Sequence, residues 1–509
     1  MGPIWRPNFA QSAVLFFIAA GGLTFAAPRT TAAPPSRPVA FPLKVSQNKR
    51  YLVDQNGTPF LIVGDSPQGI VGRLTEKEAE AYFDDRAAHG FNTMGWINVV
   101  CAGHDYPTNT LAETPDGIRP FLSFLPGGKD YNYYDLSKPN EAYFVRLDHM
   151  VELATKHHFA VFIDPIETIG WRSTLRNNGV NVAYEYGRFL GRRYGGYANV
   201  MWVSGNDFGS WQASQDDALA KAAKEGFDSL FHTWLHRDDD SLVQAVARGI
   251  RDTAPQQLQT VELQPNTSSS FDDPAWRSLA EINGTYTYYP AYMQTLHSYN
   301  QSPTAPTFLM ETRYEFDHDT DPPDDGTPYV LRKQEYWAML SGATGEFYGN
   351  DLEWPFKDGW REKFDTAGVQ QVEYWKDLFL SIPWQDLVPD QDHKILVSGS
   401  GSVCDAKSPV GKCDYAVAAK SSDGTVVLIY IPTRRVITVN LAALSHPAHA
   451  TWFDPTSGEH KPVRADTFQN SGIKRFTPPG KNHSGDGDWV LLLRTESTNP
   501  PQAARAASR

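Results

Sequence analysis

Between residues 43 and 386 the chain repeats one theme: a short, largely apolar block, in most cases followed by a segment with helical spacing. The blocks are residues 60–64, 92–99, 160–163, 200–203, 258–263, 282–287, 307–310 and 344–348. A strand with one wet face alternates apolar and polar residues. A near-continuous apolar block belongs to a strand covered on both faces, as in a parallel sheet flanked by helices. Eight such units in succession predict a (β/α)8 TIM barrel, an α/β fold. A doubly wound sheet is the other arrangement of this kind, and it carries a glycine-rich phosphate-binding turn after its first strand. The turn here is Gly64-Asp65-Ser66-Pro67, which does not have that form.

The punctuation agrees with a barrel. Asp54-Gln55-Asn56-Gly57 has the chemistry of a hairpin turn within 43–59. Thr75 and Glu78 form a capping box, and Gly90 is placed for a left-handed stop. Further helices are expected over 140–158, 184–194, 292–300, 329–341 and 369–380, with 216–254 mostly helical and 102–139 a Pro/Gly/Asn-rich insertion. After Leu387 the helical spacing stops. Short runs at 395–397, 415–419, 425–431, 436–439, 450–453 and 489–493, read as alternating and separated by turns, predict an all-β sandwich over 387–495 with a core separate from that of the barrel over 43–386.

The ends read differently. Arg6, the apolar run from Ala13 to Ala20 and small-residue sites at Thr24-Phe25-Ala26 and Thr31-Ala32-Ala33 have the form of a signal peptide over 1–33, which implies a secreted or periplasmic protein. The run is shorter than the ~20 residues of a membrane span, so no span is expected after cleavage. Residues 34–42 and 496–509 read as disordered. Export permits disulfides. Of the three cysteines, Cys404 and Cys413 flank a short polar loop and are expected to form a staple of about 2–3 kcal/mol, leaving Cys101 as a buried thiol.

A net charge of −13 excludes nucleic acid and anionic membrane as partners. No His/Cys cluster has zinc spacing, and the acidic run from Asp317 to Asp325 lacks the Gly and Glu of a calcium loop, so it reads as a solvated loop and no metal or cofactor is expected. Barrel chemistry lies where strands end. The ionisable residues there are Asp65, Asp164, Glu167, Asp207 and Glu311. Asp207 follows the fourth strand beside Asn206, and Glu311 follows the seventh. Two carboxylates across one mouth meet the requirement of a retaining glycosidase: one gives a proton to the leaving oxygen, the other attacks the anomeric carbon. For either alone, a helix cap or a salt bridge is the bland explanation. Asp65, Trp96, Asp164, Asn206, Tyr288 and Tyr348 are the candidate substrate-binding residues, for an oligo- or polysaccharide. Gly205 and Gly209, which flank Asp207, have two explanations, close approach to a ligand or a tight turn. The alternative function is a non-catalytic carbohydrate- or matrix-binding protein.

Several segments resemble the apiosidase-like family of bacterial glycosidases: Asn56-Gly57-Thr58-Pro59-Phe60 through Asp65, Tyr82 through Asn92, Gly187 through Tyr194 with Asn199 to Asp207, Thr287-Tyr288-Tyr289-Pro290, Glu311 with Tyr314-Glu315, and Tyr336 through Ala343 with Tyr348-Gly349. The C-terminal region, in Tyr430-Ile431-Pro432, Trp452-Phe453-Asp454-Pro455 and Gly487-Asp488-Trp489, resembles the collagen-binding-type domain often fused to that family. The resemblance implies a glycoside hydrolase of family 140, with Asp207 as acid/base, Glu311 as nucleophile, and release of apiose from the pectin rhamnogalacturonan II as its activity. The chain departs from the family's pattern where Ser66-Pro67-Gln68 replaces a segment like Thr-Ala-Trp, and where Met310 replaces Gly. The resemblance therefore speaks more to retaining chemistry than to the sugar.

Overall fold

The computed structural model describes residues 38–495 apart from 104–105, 107–110, 209–238, 264–266, 321–322, 406 and 465. The signal peptide, residues 34–37 of the lead-in, the C-terminal tail, Gly209 and the 216–238 part of the expected helical region lie outside the described residues. All eight apolar blocks are parallel strands of one sheet: β1 (Ile62–Asp65), β2 (Thr93–Asn98), β3 (Ala160–Asp164), β4 (Val200–Ser204), β5 (Gln259–Val261), β6 (Asn283–Thr287), β7 (Thr307–Glu311) and β8 (Gly345–Tyr348). Their order is β5-β4-β3-β2-β1-β8-β7-β6, with β5 at one end and, at the other, β6 paired antiparallel with the short strand Thr267–Ser269. Gln259 O closes the ring by accepting from Glu281 N at 3.0 Å, and Thr260 Oγ1 donates to Ile282 O at 2.9 Å.

Side chains alternate about this ring. Phe60 and Ile62, Phe162, Met201 and Val203, Phe308 and Met310, and Phe347 fill the interior. Leu52, from a small sheet preceding β1, and Leu43, just before that sheet, join them. The alternate residues face the helices: α1 (Glu76–Ala88), α2 (Glu141–Lys156), α3 (Val180–Tyr194), α4 (Asp240–Thr253), α5 (Ala291–Asn300), α6 (Pro328–Leu340) and α7 (Ala367–Leu380). The Thr75–Glu78 capping box opens α1 as expected. Three features depart from the sequence reading. A helix over Thr168–Asn178, bent at Trp171, follows β3. A short strand, Thr267–Ser269, and one 3-10 turn stand in place of a fifth barrel helix. The acidic run is a hairpin, His318–Thr320 against Pro323–Asp325, rather than a loop.

The C-terminal region has two antiparallel sheets. One runs β9 (Leu387–Pro389), β11 (Val417–Ser421), β12 (Val426–Ile431), β17 (Trp489–Thr495), β14 (Ala448–Phe453), β15 (His460–Pro462); the other runs β10 (Leu396–Ser398), β13 (Ile437–Asn440), β16 (Ile473–Phe476). Val427, Ile429, Ile431, Leu491 and Leu493 point between the sheets. Their neighbours Val426, Leu428, Tyr430, Val490 and Leu492 belong to the same apolar cluster as the barrel helices. The expectation of separate cores is therefore corrected: the six-stranded sheet is buried on both faces, which is why β12 is apolar throughout instead of alternating.

Helix α6 is the shared element, and every residue from Val330 to Leu340 is buried. Tyr336 stacks on Tyr430 with ring centres 4.9 Å apart, and Trp337 Nε1 donates to Tyr415 O at 2.8 Å. Arg332 forks onto Asp488 at 2.8 and 2.9 Å. Asp488 also accepts from Tyr430 and Asn482 at 3.1 and 2.7 Å. Asp488→Ala would leave the buried guanidinium with the half-buried Asp486 at 2.9 Å and the Gln371 amide at 2.6 Å as its side-chain partners; we expect a loss of about 3 kcal/mol, the low end for breaking a buried pair, read as a lowered midpoint in thermal or urea unfolding.

Cys404 and Cys413 are bridged, and Cys101 is a buried free thiol. The bridged loop lies against the barrel: Lys333 Nζ donates to Val410 O and Gly411 O at 2.8 and 3.0 Å, Gly411 N donates to Asp324 Oδ2 at 2.7 Å, and Cys404 N donates to Tyr292 Oη at 3.0 Å. The staple thus holds the seam between the two parts, and the barrel is not remote from it. Among the described residues no helix is long and apolar enough to cross a membrane.

Candidate active site

The ends of β4 and β7 carry the two predicted carboxylates, and the backbone at β4 has an unusual form. Gly205, Asn206 and Asp207 have φ of 110°, 48° and 58°, three left-handed residues in succession. Asn and Asp tolerate that region better than other side chains. At Gly205 a Cβ would lie 2.3 Å from Glu262 O, so its lack of a side chain answers to neighbouring backbone. The turn is pinned by Thr168, whose N donates to Gly205 O and whose Oγ1 donates to Asn206 O, both at 2.8 Å.

Glu311 ends β7. Tyr288 Oη donates to its Oε1 at 2.8 Å, and the Tyr314 hydroxyl is a second hydrogen-bonding partner. Gln68 links the two sides: Asn206 Nδ2 donates to its Oε1 at 3.0 Å, and its Nε2 donates to Tyr314 Oη at 3.1 Å. Asn206 thus connects through Gln68 and Tyr314 to Glu311. Tyr106, Tyr314 and Trp354 form an aromatic cluster with Cys101, against which Tyr288 packs. Burial pushes the Cys101 thiol up to about 12, so it is no nucleophile near neutrality.

A third carboxyl lies here that the sequence reading passed over. Glu262, just after β5, is buried, and its Oε2 accepts from Asp207 N at 3.0 Å. Burial first, then the carboxylates of Glu311 and Asp207, push its pKa well above the ordinary carboxylate range. Its position at a strand end was the available signal, but the residue sat inside a block read as strand. Gln68 and Trp354 gave no comparable signal.

The other predicted residues divide. Asp164, at the end of β3, is buried; its Oδ1 accepts from Ile166 N at 2.9 Å, its Oδ2 has no partner, and burial raises its pKa strongly. Beside it on β2, Asn98 also has a buried oxygen without a partner. Asp65 points the other way. With Ile62 facing inward, Asp65 faces the helices, where Arg86 and Tyr82 hold its Oδ2 and Arg86 also pairs with Glu353. Tyr348 likewise turns outward to Glu315 and Thr366. Trp96, with φ of 56°, fills the barrel interior, where its Nε1 donates to Met310 O at 3.5 Å. These three contribute to the fold around the site, and their side chains are engaged by the protein. Among the described residues no group of His, Cys, Asp and Glu is arranged to hold a metal ion.

A family model described as apiosidase-like, catalytic domain, matches residues 46–386. A model named for collagen binding in a collagenase matches residues 402–494. No curated protein matches the chain. Among solved structures, a glycoside hydrolase family 5 protein from Bacteroides vulgatus ATCC 8482 is similar at 20% identity and a TM-score of 0.69, over 89% of this chain and 93% of that one. A second structure, titled glycoside hydrolase, is similar at 20% identity and a TM-score of 0.70, over 90% of this chain and 98% of that one. At this identity the likeness is one of fold, and its coverage extends across both parts of the chain.

Proposed function

The chain belongs to the apiosidase-like glycosidase family, and from that premise we propose that it is an exported, retaining glycoside hydrolase with Asp207 as acid/base and Glu311 as nucleophile. One observation carries the reading. Asp207 and Glu311 come from opposite sides of the barrel, yet short hydrogen bonds join their surroundings: Asn206, next to Asp207, reaches Tyr314, a partner of Glu311, through Gln68 at 3.0 and 3.1 Å, and Asp207 N donates at 3.0 Å to Glu262, whose pKa the Glu311 carboxylate also raises. A glycosidic bond held between them meets both. Asp207 protonates the leaving oxygen while Glu311, oriented by Tyr288, attacks the anomeric carbon; water then displaces Glu311 with Asp207 as base. Asp164 and Asn98, each with an oxygen in need of a partner, are suited to sugar hydroxyls.

The substrate is a plant cell-wall or related polysaccharide, and the family resemblance makes apiose in rhamnogalacturonan II the first linkage to test. The C-terminal sandwich supports the barrel. The test incubates pure protein with a panel of plant polysaccharides, identifies the sugar released, and follows its anomeric form by NMR at early times. A retained configuration is expected. Release with inverted configuration would sink the mechanism, and binding without release from any glycan, including aryl glycosides, would sink the enzyme reading of the site.

A further inference from the structure

Asp207 must hold its carboxyl in place at the end of a turn whose three residues are all left-handed. Such a turn persists only where its surroundings over-determine it. Thr168 grips the carbonyls of Gly205 and Asn206. Two further contacts come from one residue: Glu262 N donates to Ser204 O at 2.8 Å, and Glu262 Oε2 accepts from Asp207 N at 3.0 Å. The Glu262 side chain is thus fixed to the peptide of the acid/base itself. Its other oxygen, Oε1, is buried and has no hydrogen-bond partner.

We propose that Glu262 is a positioning residue that works as a neutral carboxylic acid: its carbonyl oxygen fixes the Asp207 peptide, and its hydroxyl donates to a hydroxyl of the bound sugar. The inference rests on the assignment of Asp207 and Glu311 made above. What would set this role apart from that of a third catalytic carboxylate is a donor on Oε1. An ionised carboxylate offers acceptors only, whereas an acid offers one acceptor and one donor. Asp207 N uses one acceptor, and a donor on the other oxygen suits a site already holding two carboxylates. The groups facing Glu262 are Asp207 from β4, Glu311 from β7, Asp164 from β3, Tyr286 from β6 and Tyr314 beyond β7. Burial and the negative charges of Glu311 and Asp207 all favour the protonated form.

The test compares Glu262→Gln with Glu262→Met in the full chain. An amide presents the same acceptor and donor as a carboxylic acid, without an ionisable proton. Glu262→Gln is therefore expected to keep a near wild-type rate and a superimposable pH–rate profile. Glu262→Met removes both contacts and is expected to lose about 10²-fold in kcat/KM, the scale of a lost positioning hydrogen bond, in protein that still unfolds in one cooperative transition. The proposal is overturned if Glu262→Gln falls as far as Glu262→Met, if its profile moves toward acid pH, or if Glu262→Met retains the wild-type rate. Should Glu262→Met fail to fold, the rate and profile of Glu262→Gln decide alone. Asp207→Asn and Glu311→Gln are measured alongside. If those two behave as expected and Glu262→Gln is inactive, this inference fails and the assignment of the catalytic pair stands.

Discussion

Glu311→Gln is expected to lower turnover of every glycoside by on the order of 10⁴-fold or more, the scale on which loss of a nucleophile is read. The amide fits the same space beside Tyr288 and Tyr314, so substrate binding and the fold should survive, as unchanged KM and unfolding midpoint would show. What disappears is the attack on the anomeric carbon, which no leaving group can compensate. Aryl glycosides and natural glycans should therefore fail alike. A mechanism-based inhibitor that traps the covalent intermediate should label the wild type at Glu311, identified by peptide mass mapping, and should leave the variant unlabelled. Labelling at any other carboxyl would reassign the nucleophile.

Asp207→Asn is expected to split substrates instead. Natural glycans have alcohol leaving groups that need a proton, so their hydrolysis should fall by roughly 10²–10⁴-fold, the range of general acid–base catalysis. Activated aryl glycosides leave unaided, so their first step should be spared and the glycosyl-enzyme should accumulate as a burst. Azide needs no deprotonation to attack and should restore turnover, giving a glycosyl azide. The alkaline limb of the pH–rate profile should flatten, because it reports the group that gives the proton. Equal loss on both substrate types, without azide rescue, would remove Asp207 from the acid/base role. Asp164, Glu167 and Glu262 would then be the next residues to change.

The two carboxylates were legible because the barrel places strand ends at its mouth whatever the sequence between them. The strands themselves were legible because burial on both faces leaves them largely apolar. What stayed hidden was decided by direction rather than position. Asp65 follows an inward-facing Gly64, so one step of strand alternation turns its carboxylate to Arg86. Tyr348, next to inward-facing Phe347, meets the same fate. Trp96 entered the interior through a left-handed residue inside β2, where the pairing with β3 shifts register, and no regular alternation foretells that. Glu262 was hidden by its own block: one acid among strand residues reads as strand. The C-terminal runs showed where strands lie, but the unbroken apolarity from Val426 to Ile431 needed a second covering surface, and only the fold names α6 as that surface.

That covering has a bearing on recognition. A β-sandwich commonly meets a large ligand on the broad outer side of its bigger sheet, where many side chains can touch at once. In this molecule Tyr430, Leu428, Val490 and Leu492 on that side are already seated against the catalytic domain. What its strands leave facing water is narrower: Ile473, Lys474 and Arg475 of β16 and Val397 and Ser398 of β10 on the smaller sheet, and the edge strand β15 on the larger. A fibrous protein or a polysaccharide chain meeting this region would find a strip and an edge, not a platform.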